Sequence, residues 1–168
     1  MLAHVGCVHD GSMDTIIANT GNQALRRGRA SVAAPLYLVT TVTLGRKILF
    51  ADPLLACATA RATLDSRIWR TSRLHCWVLM PDHWHAVLEV GDDDSLARVM
   101  ARFKSSTARE VNVARGGGDR VWQRAYHDHA MRRDEDLLSI ARYVISNPRR
   151  AGLVASVGDY PYWNAAWL

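Results

Sequence analysis

Cysteine is scarce in this 168-residue chain: Cys7, Cys57 and Cys76 are the only three, far apart and never in C-x-x-C spacing. An odd, scattered set argues against a disulfide framework and against a zinc site built on thiolates. Reduced thiols in a cytoplasmic protein are the expectation. No uninterrupted apolar run is long enough to span a bilayer, so no membrane association is predicted. The first residues lack a basic stretch followed by an apolar one, which argues against a secretory signal. Lysine is nearly missing as well. Lys47 and Lys104 stand alone among 21 basic residues, so the positive charge is carried by arginine, whose planar fork grips phosphate in two places.

The charge is also unevenly spread. Residues 1–94 balance nine basic against nine acidic side chains, whereas residues 95–150 carry twelve basic and six acidic. A basic half with a net formal charge of +5 for the chain points to a polyanion, nucleic acid first. A solvated basic face produced by arginine-rich codon usage is the alternative. Residues 1–31 are rich in Gly, Asn, Ser and Asp and lack periodicity; they read as a disordered leader, or as a misassigned start. The remainder, 32–168, reads as one domain.

Within that domain the hydrophobic periods alternate. Residues 36–43 are β-branched and aromatic and read as a strand. Asp52-Pro53 is a helix start, with the helix expected to run to about Arg70. Residues 74–80 and 83–90 read as strands joined by the tight Pro81-Asp82 turn, an antiparallel hairpin. The stripe Leu96, Val99, Met100, Phe103, Thr107 and Val111 predicts a helix over 95–114, and residues 121–131 read as a strand. Asp134 is expected to cap a last long helix that ends near Asn147, since Pro148 disfavours helical geometry before it. A short turn and an aromatic tail packed on the body follow. This order predicts an α+β fold, a ferredoxin-like antiparallel sheet with helices on one face.

Two constellations carry chemistry. His83 and His85 lie two apart on a strand and share a face, while Trp84 points the other way. Side by side they form half of a metal site or a half-exposed surface pair. In the last helix, Tyr143 and Asn147 are four residues apart, one turn along the same side at the edge of the apolar stripe. They face a cleft, or Tyr143 is a boundary residue of the core. A second H-x-H, His127-Asp128-His129, offers ligands for a four-histidine hydrolytic centre.

Four segments together resemble the REP-associated tyrosine transposases, within the single-tyrosine HUH insertion-sequence transposases. They are Met80-Pro81-Asp82-His83-Trp84-His85, Phe103-Lys104-Ser105-Ser106, Val121-Trp122-Gln123-Arg124 through Asp128-His129, and Tyr143 through Val154. The match runs from roughly residue 36 to 162, with Asp82 where asparagine is frequent and a longer leader than expected. The resemblance implies cleavage and joining of single-stranded, hairpin-forming DNA through a 5′-phosphotyrosine link to Tyr143. It also implies Mg²⁺ or Mn²⁺ held by His83, His85 and Asn147, and DNA contacts from Arg98, Arg102, Lys104, Ser105, Arg109, Arg124, Arg149 and Arg150. Asp128 is expected to support Tyr143 or a ligand from behind, and Trp122 or the aromatic tail to offer a stacking surface or core packing. A monomer or a homodimer fits one tyrosine per chain. A catalytically silent hairpin binder and a small-substrate hydrolase are the competing readings.

Overall fold

Which side of a strand is apolar decides how many layers a sheet needs, and here the central strands are apolar on both. The computed structural model describes residues 34–132 and 136–166. The leader expected over 1–31 and the cap expected at Asp134 lie outside the described residues. The strands are β1 (Leu36–Val42), β2 (Arg73–Met80), β3 (His83–Glu89), β4 (His127–Ala130) and β5 (Trp163–Ala165). The helices are α1 (Pro53–Thr63), α2 (Ser66–Trp69), α3 (Leu96–Arg115), α4 (Leu137–Ile145) and α5 (Asn147–Arg150). The sheet runs β4-β1-β3-β2-β5, and every neighbouring pair is antiparallel. Its first four strands, with α1 and α3 as crossovers, have the ferredoxin-like order. None of the described helices is long and apolar enough to cross a membrane.

Both crossover helices lie on one face, as expected. Val39, Trp77, Leu79, Trp84, Ala86 and Leu88 meet Val99, Met100 and Phe103 of α3 and Leu55 of α1 there. The correction is on the other face, which the sequence reading left without helices. Six consecutive residues of β2 are buried, so both parities need cover. Cys76, Val78, Met80 and Val87 find it in Ala141, Val144 and Ile145 of α4, with Tyr160 from the tail. The Tyr160 hydroxyl donates to the Leu79 carbonyl at 2.6 Å.

Local chemistry explains three further differences. The helix expected to reach Arg70 breaks after Thr63, because the Asp65 carboxylate accepts from the Arg67 amide (2.9 Å) and starts α2 anew. The strand expected over 121–131 shrinks to β4 plus one bridge between Thr43 and Trp122. Its missing carbonyls, those of Gln123, Arg124 and Ala125, all accept from the Lys104 ammonium. Asp136 caps α4, accepting from the Leu138 amide at 3.0 Å.

Trp84 tests the first layer. It is fully buried, stacked on Phe103 with ring centroids 4.1 Å apart, and its indole N–H has no partner among the described residues. Trp84→Ala is expected to cost about 3–5 kcal/mol in urea unfolding. Trp84→Phe should cost far less, because no hydrogen bond is lost.

Candidate active site

The sheet face opposite Trp84 carries His83 and His85, and α4 lies across it. The apolar stripe of α4 docks on β2, which turns Tyr143 toward the imidazoles. The Tyr143 and His85 ring centroids are 6.5 Å apart, and those of His83 and His85 are 6.3 Å apart. Tyr143 is 48% exposed, and its hydroxyl has no hydrogen-bond partner among the described residues. Pro148 ends α4 and starts α5, and that turn brings the Arg150 guanidinium over the Tyr143 ring, 4.2 Å from its centroid. The Asn147 side chain donates through Nδ2 to the Val144 carbonyl (2.9 Å) and more weakly to that of Tyr143 (3.4 Å). Its Oδ1 is left unengaged among the described residues.

Each imidazole is held through Nδ1. His83 donates from Nδ1 to Asp82 Oδ1 (2.6 Å), whose other oxygen accepts from Arg46 Nη1 at 3.2 Å. His85 Nδ1 and the Thr40 hydroxyl share a hydrogen bond of 2.5 Å. With each Nδ1 so engaged, Nε2 is the ring nitrogen left for a ligand, and the Nδ1 partners fix the ring orientations. Burial, reinforced by the neighbouring His83, pushes His85 down to about 4, so it is neutral at neutral pH. Thr40 and Arg46 were not foreseen. Only the strand register, which pairs Thr40 with His85, reveals the first.

The second H-x-H does not join this pair. Register sets His127 opposite Thr40 and His129 opposite Leu38, so both share the His83/His85 face but stand a whole strand away. No cluster of three or more His, Cys, Asp or Glu side chains suited to a metal forms among the described residues. Asp128, opposite Val39, points to the α3 layer and cannot support Tyr143 as expected. Trp122 is buried and donates to the Thr107 hydroxyl (2.9 Å), so it is core and not a stacking surface.

The basic residues divide in the same way. Helix α3 packs behind the sheet, so Arg98, Arg102, Lys104, Ser105 and Arg109 belong to the layer opposite the imidazoles. Two of them are committed inside the fold. Arg102 pairs with Asp94 and donates to the Ile68 carbonyl at 2.7 Å. Lys104 spends its three N–H groups on the carbonyls of Gln123, Arg124 and Ala125 at 2.9–3.0 Å. Their expected role in gripping DNA gives way to a structural one. Arg109 makes only an exposed pair with Glu110, and Arg98, Ser105 and Arg124 are exposed. Arg149 and Arg150 alone share α5, beside Tyr143. Lys104→Met is expected to lower stability by about 2 kcal/mol through its lost charged hydrogen bonds. The loss is read by urea unfolding.

Comparison with known proteins bears on the family and the fold. The family model described as "Transposase IS200 like" matches residues 62–147. The REP-associated tyrosine transposase of Escherichia coli K12 is 30% identical over 95 residues, covering 55% of this chain and 54% of that one. A putative REP-associated tyrosine transposase of Haemophilus influenzae is 30% identical over 94 residues, covering 50% and 53%. The chain thus matches along about half the length of these curated relatives. A solved structure of a REP-associated tyrosine transposase bound to a REP hairpin superposes with a TM-score of 0.59. It is 22% identical and covers 80% of this chain and 79% of that one, a likeness of fold.

Proposed function

Because the chain belongs to the IS200-like transposase family, we propose that it cleaves and rejoins single-stranded DNA beside a REP-like hairpin, with Tyr143 as the nucleophile. One observation carries this reading: the Tyr143 phenol lies beside the His85 ring, 6.5 Å between centroids, across the α4–sheet interface. The likeness to the relatives named above supports the substrate class.

In the reaction, the Tyr143 oxygen forms a bond to the scissile phosphorus and the bond from phosphorus to the 3′ oxygen breaks. The phenol proton leaves to solvent and the departing 3′ oxygen takes one up. The products are a 5′-phosphotyrosine and a free 3′-hydroxyl, and attack by a 3′-hydroxyl in the reverse direction joins strands. Free tyrosine has a pKa of about 10, so the phenol needs an electrophilic phosphate opposite it. The donor set fits a divalent cation: Nε2 of His83, Nε2 of His85 and Oδ1 of Asn147 are the atoms left available when every other polar atom of these side chains is engaged. Two imidazole nitrogens and an amide oxygen suit Mg²⁺ or Mn²⁺ with positions left for phosphate and water. Held by these residues, such an ion would polarise the phosphate and offset the charge that develops on its oxygens. Asp82 and Thr40 orient the imidazoles, and Arg150 steadies the ring of Tyr143 and offers a cation to the phosphate bound there.

Incubation with an end-labelled single-stranded hairpin and Mn²⁺, followed by a denaturing gel, tests the proposal. A covalent protein–DNA band that disappears with EDTA is expected. Hairpin binding without any such band marks a silent binder instead, and overturns the reading.

A further inference from the structure

A second site lies at the end of the sheet that carries His83. We infer that it holds a backbone phosphate of the unpaired strand leading to Tyr143, an inference that rests on the function proposed above. A cavity of about 210 Å³ opens there between two loops. Lys47 enters from the loop after β1, and Arg120 from the loop after α3. Neither has a hydrogen-bond or ion-pair partner among the described residues, although two cations converging on one concavity repel each other. Arg115 adds a third charge. Its Nε and Nη2 are tied to Asn112 Oδ1 and to the Asp119 carbonyl, which fixes its plane and leaves Nη1 unspent. Asp119 is the one carboxylate lining the cavity, so three cations face one anion. That balance calls for an anionic ligand.

The rest of the wall narrows the ligand class. Leu44 and Leu49 give the wall an apolar part, backed by the buried Val121, a surface for a sugar or the edge of a base rather than for a free inorganic anion. The cavity has about seven times the volume of a water at ~30 Å³, which accommodates a phosphate with part of its nucleoside. A concave site of this size admits a strand that can bend, whereas the phosphates of a paired stem are held on a convex surface.

The position ties this cavity to the chemistry. Val42, the last residue of β1, pairs with His83, and the cavity begins at the next residue, Thr43. The loop that forms the wall is fastened to the Pro81-Asp82 turn by four bonds, one of them from the Thr43 hydroxyl to the Asp82 carbonyl (3.0 Å). The Thr43 amide donates to the Asp82 carbonyl (2.8 Å), the Phe50 amide donates to the Pro81 carbonyl (2.9 Å), and Arg46 donates to the same carboxylate that accepts from His83. The loop even holds Arg46, a non-glycine, in the left-handed region at φ 53°, a strain that persists where the surroundings dictate it. A strand filling the cavity is thereby delivered to the end of the sheet where His83 stands.

The test compares wild type with the double variant Lys47→Gln/Arg120→Gln. Both side chains are exposed, so the variant is expected to fold with an unchanged melting temperature. Anisotropy is read with a labelled hairpin bearing unpaired extensions and with the same hairpin lacking them. For the extended probe, affinity should fall at least tenfold, and the log–log salt slope should become shallower by about 0.7, the value for one single-strand phosphate no longer neutralised. The probe without extensions should bind both proteins equally, and Arg61→Gln, an exposed cation on α1, should change neither. Unchanged affinity for the extended probe overturns the inference, as does equal weakening for both probes. If wild type forms no covalent band, the proposed function fails. If it does and the double variant still binds the extended probe like wild type, only this inference fails.

Discussion

Tyr143→Phe is expected to abolish covalent attachment to a labelled hairpin while leaving affinity for that hairpin within about twofold. The substitution deletes a single oxygen, one with no hydrogen-bond partner among the described residues, so nothing is orphaned by its loss. The ring keeps its place between the Arg150 guanidinium at 4.2 Å and His85 at 6.5 Å, because both contacts are made to the aromatic face and edge. Exposed and unpaired as the hydroxyl is, stability should stay within about 0.5 kcal/mol of wild type. Cleavage has no second route if the phenol oxygen is the nucleophile, and a fall of at least about four orders of magnitude follows. A phenylalanine variant that still gave the covalent band at the wild-type rate would assign the nucleophile elsewhere.

The second large effect belongs to the imidazoles. His83→Ala and His85→Ala should each lower Mn²⁺-supported cleavage by at least about a hundredfold, with hairpin binding retained. Mn²⁺ titration followed calorimetrically should lose its heat in both variants. The two differ in a way the structure dictates. His85 is mostly buried and bonded to Thr40, so its removal leaves a small void and an unpaired hydroxyl, costing about 1–2 kcal/mol in urea unfolding. His83 is bonded to an Asp82 carboxylate that also accepts from Arg46, so its removal leaves that carboxylate paired and should cost less. Wild-type cleavage that proceeds equally fast in EDTA would remove the ion from the mechanism and leave these histidines a positioning role.

Much of this was legible in the chain. The β-branched and aromatic run over 36–43, the apolar runs over 74–80 and 83–90 around the Pro81-Asp82 turn, and the stripe from Leu96 to Val111 led to the correct strands, hairpin and helix. Strand parity alone set His83 and His85 together and Trp84 behind them. The four-residue spacing set Asn147 one turn from Tyr143. What periodicity withholds is the side of the sheet to which a helix goes. The stripe of α3 names its buried face but not the layer that receives it, so the reading of its cations as DNA contacts carried no placement; they lie behind the sheet. Lys104 is the sharpest case. Its charge reads as a phosphate contact in sequence, yet three carbonyls twenty residues downstream consume it. Thr40 was hidden for the opposite reason, since only cross-strand register makes it a neighbour of His85.

The short strand β5 has a role beyond packing its aromatic neighbours. By pairing with Cys76, Trp77 and Val78 it occupies the outer hydrogen-bonding rim of β2, the most apolar strand of the sheet. Left bare, that rim would present a row of unsaturated amides and carbonyls over a sticky surface, the kind of template on which copies of a chain stack. The C-terminal segment therefore works as insulation. Shortening the chain before Trp163 should leave the catalytic constellation formally intact while turning a well-behaved protein into one prone to self-association.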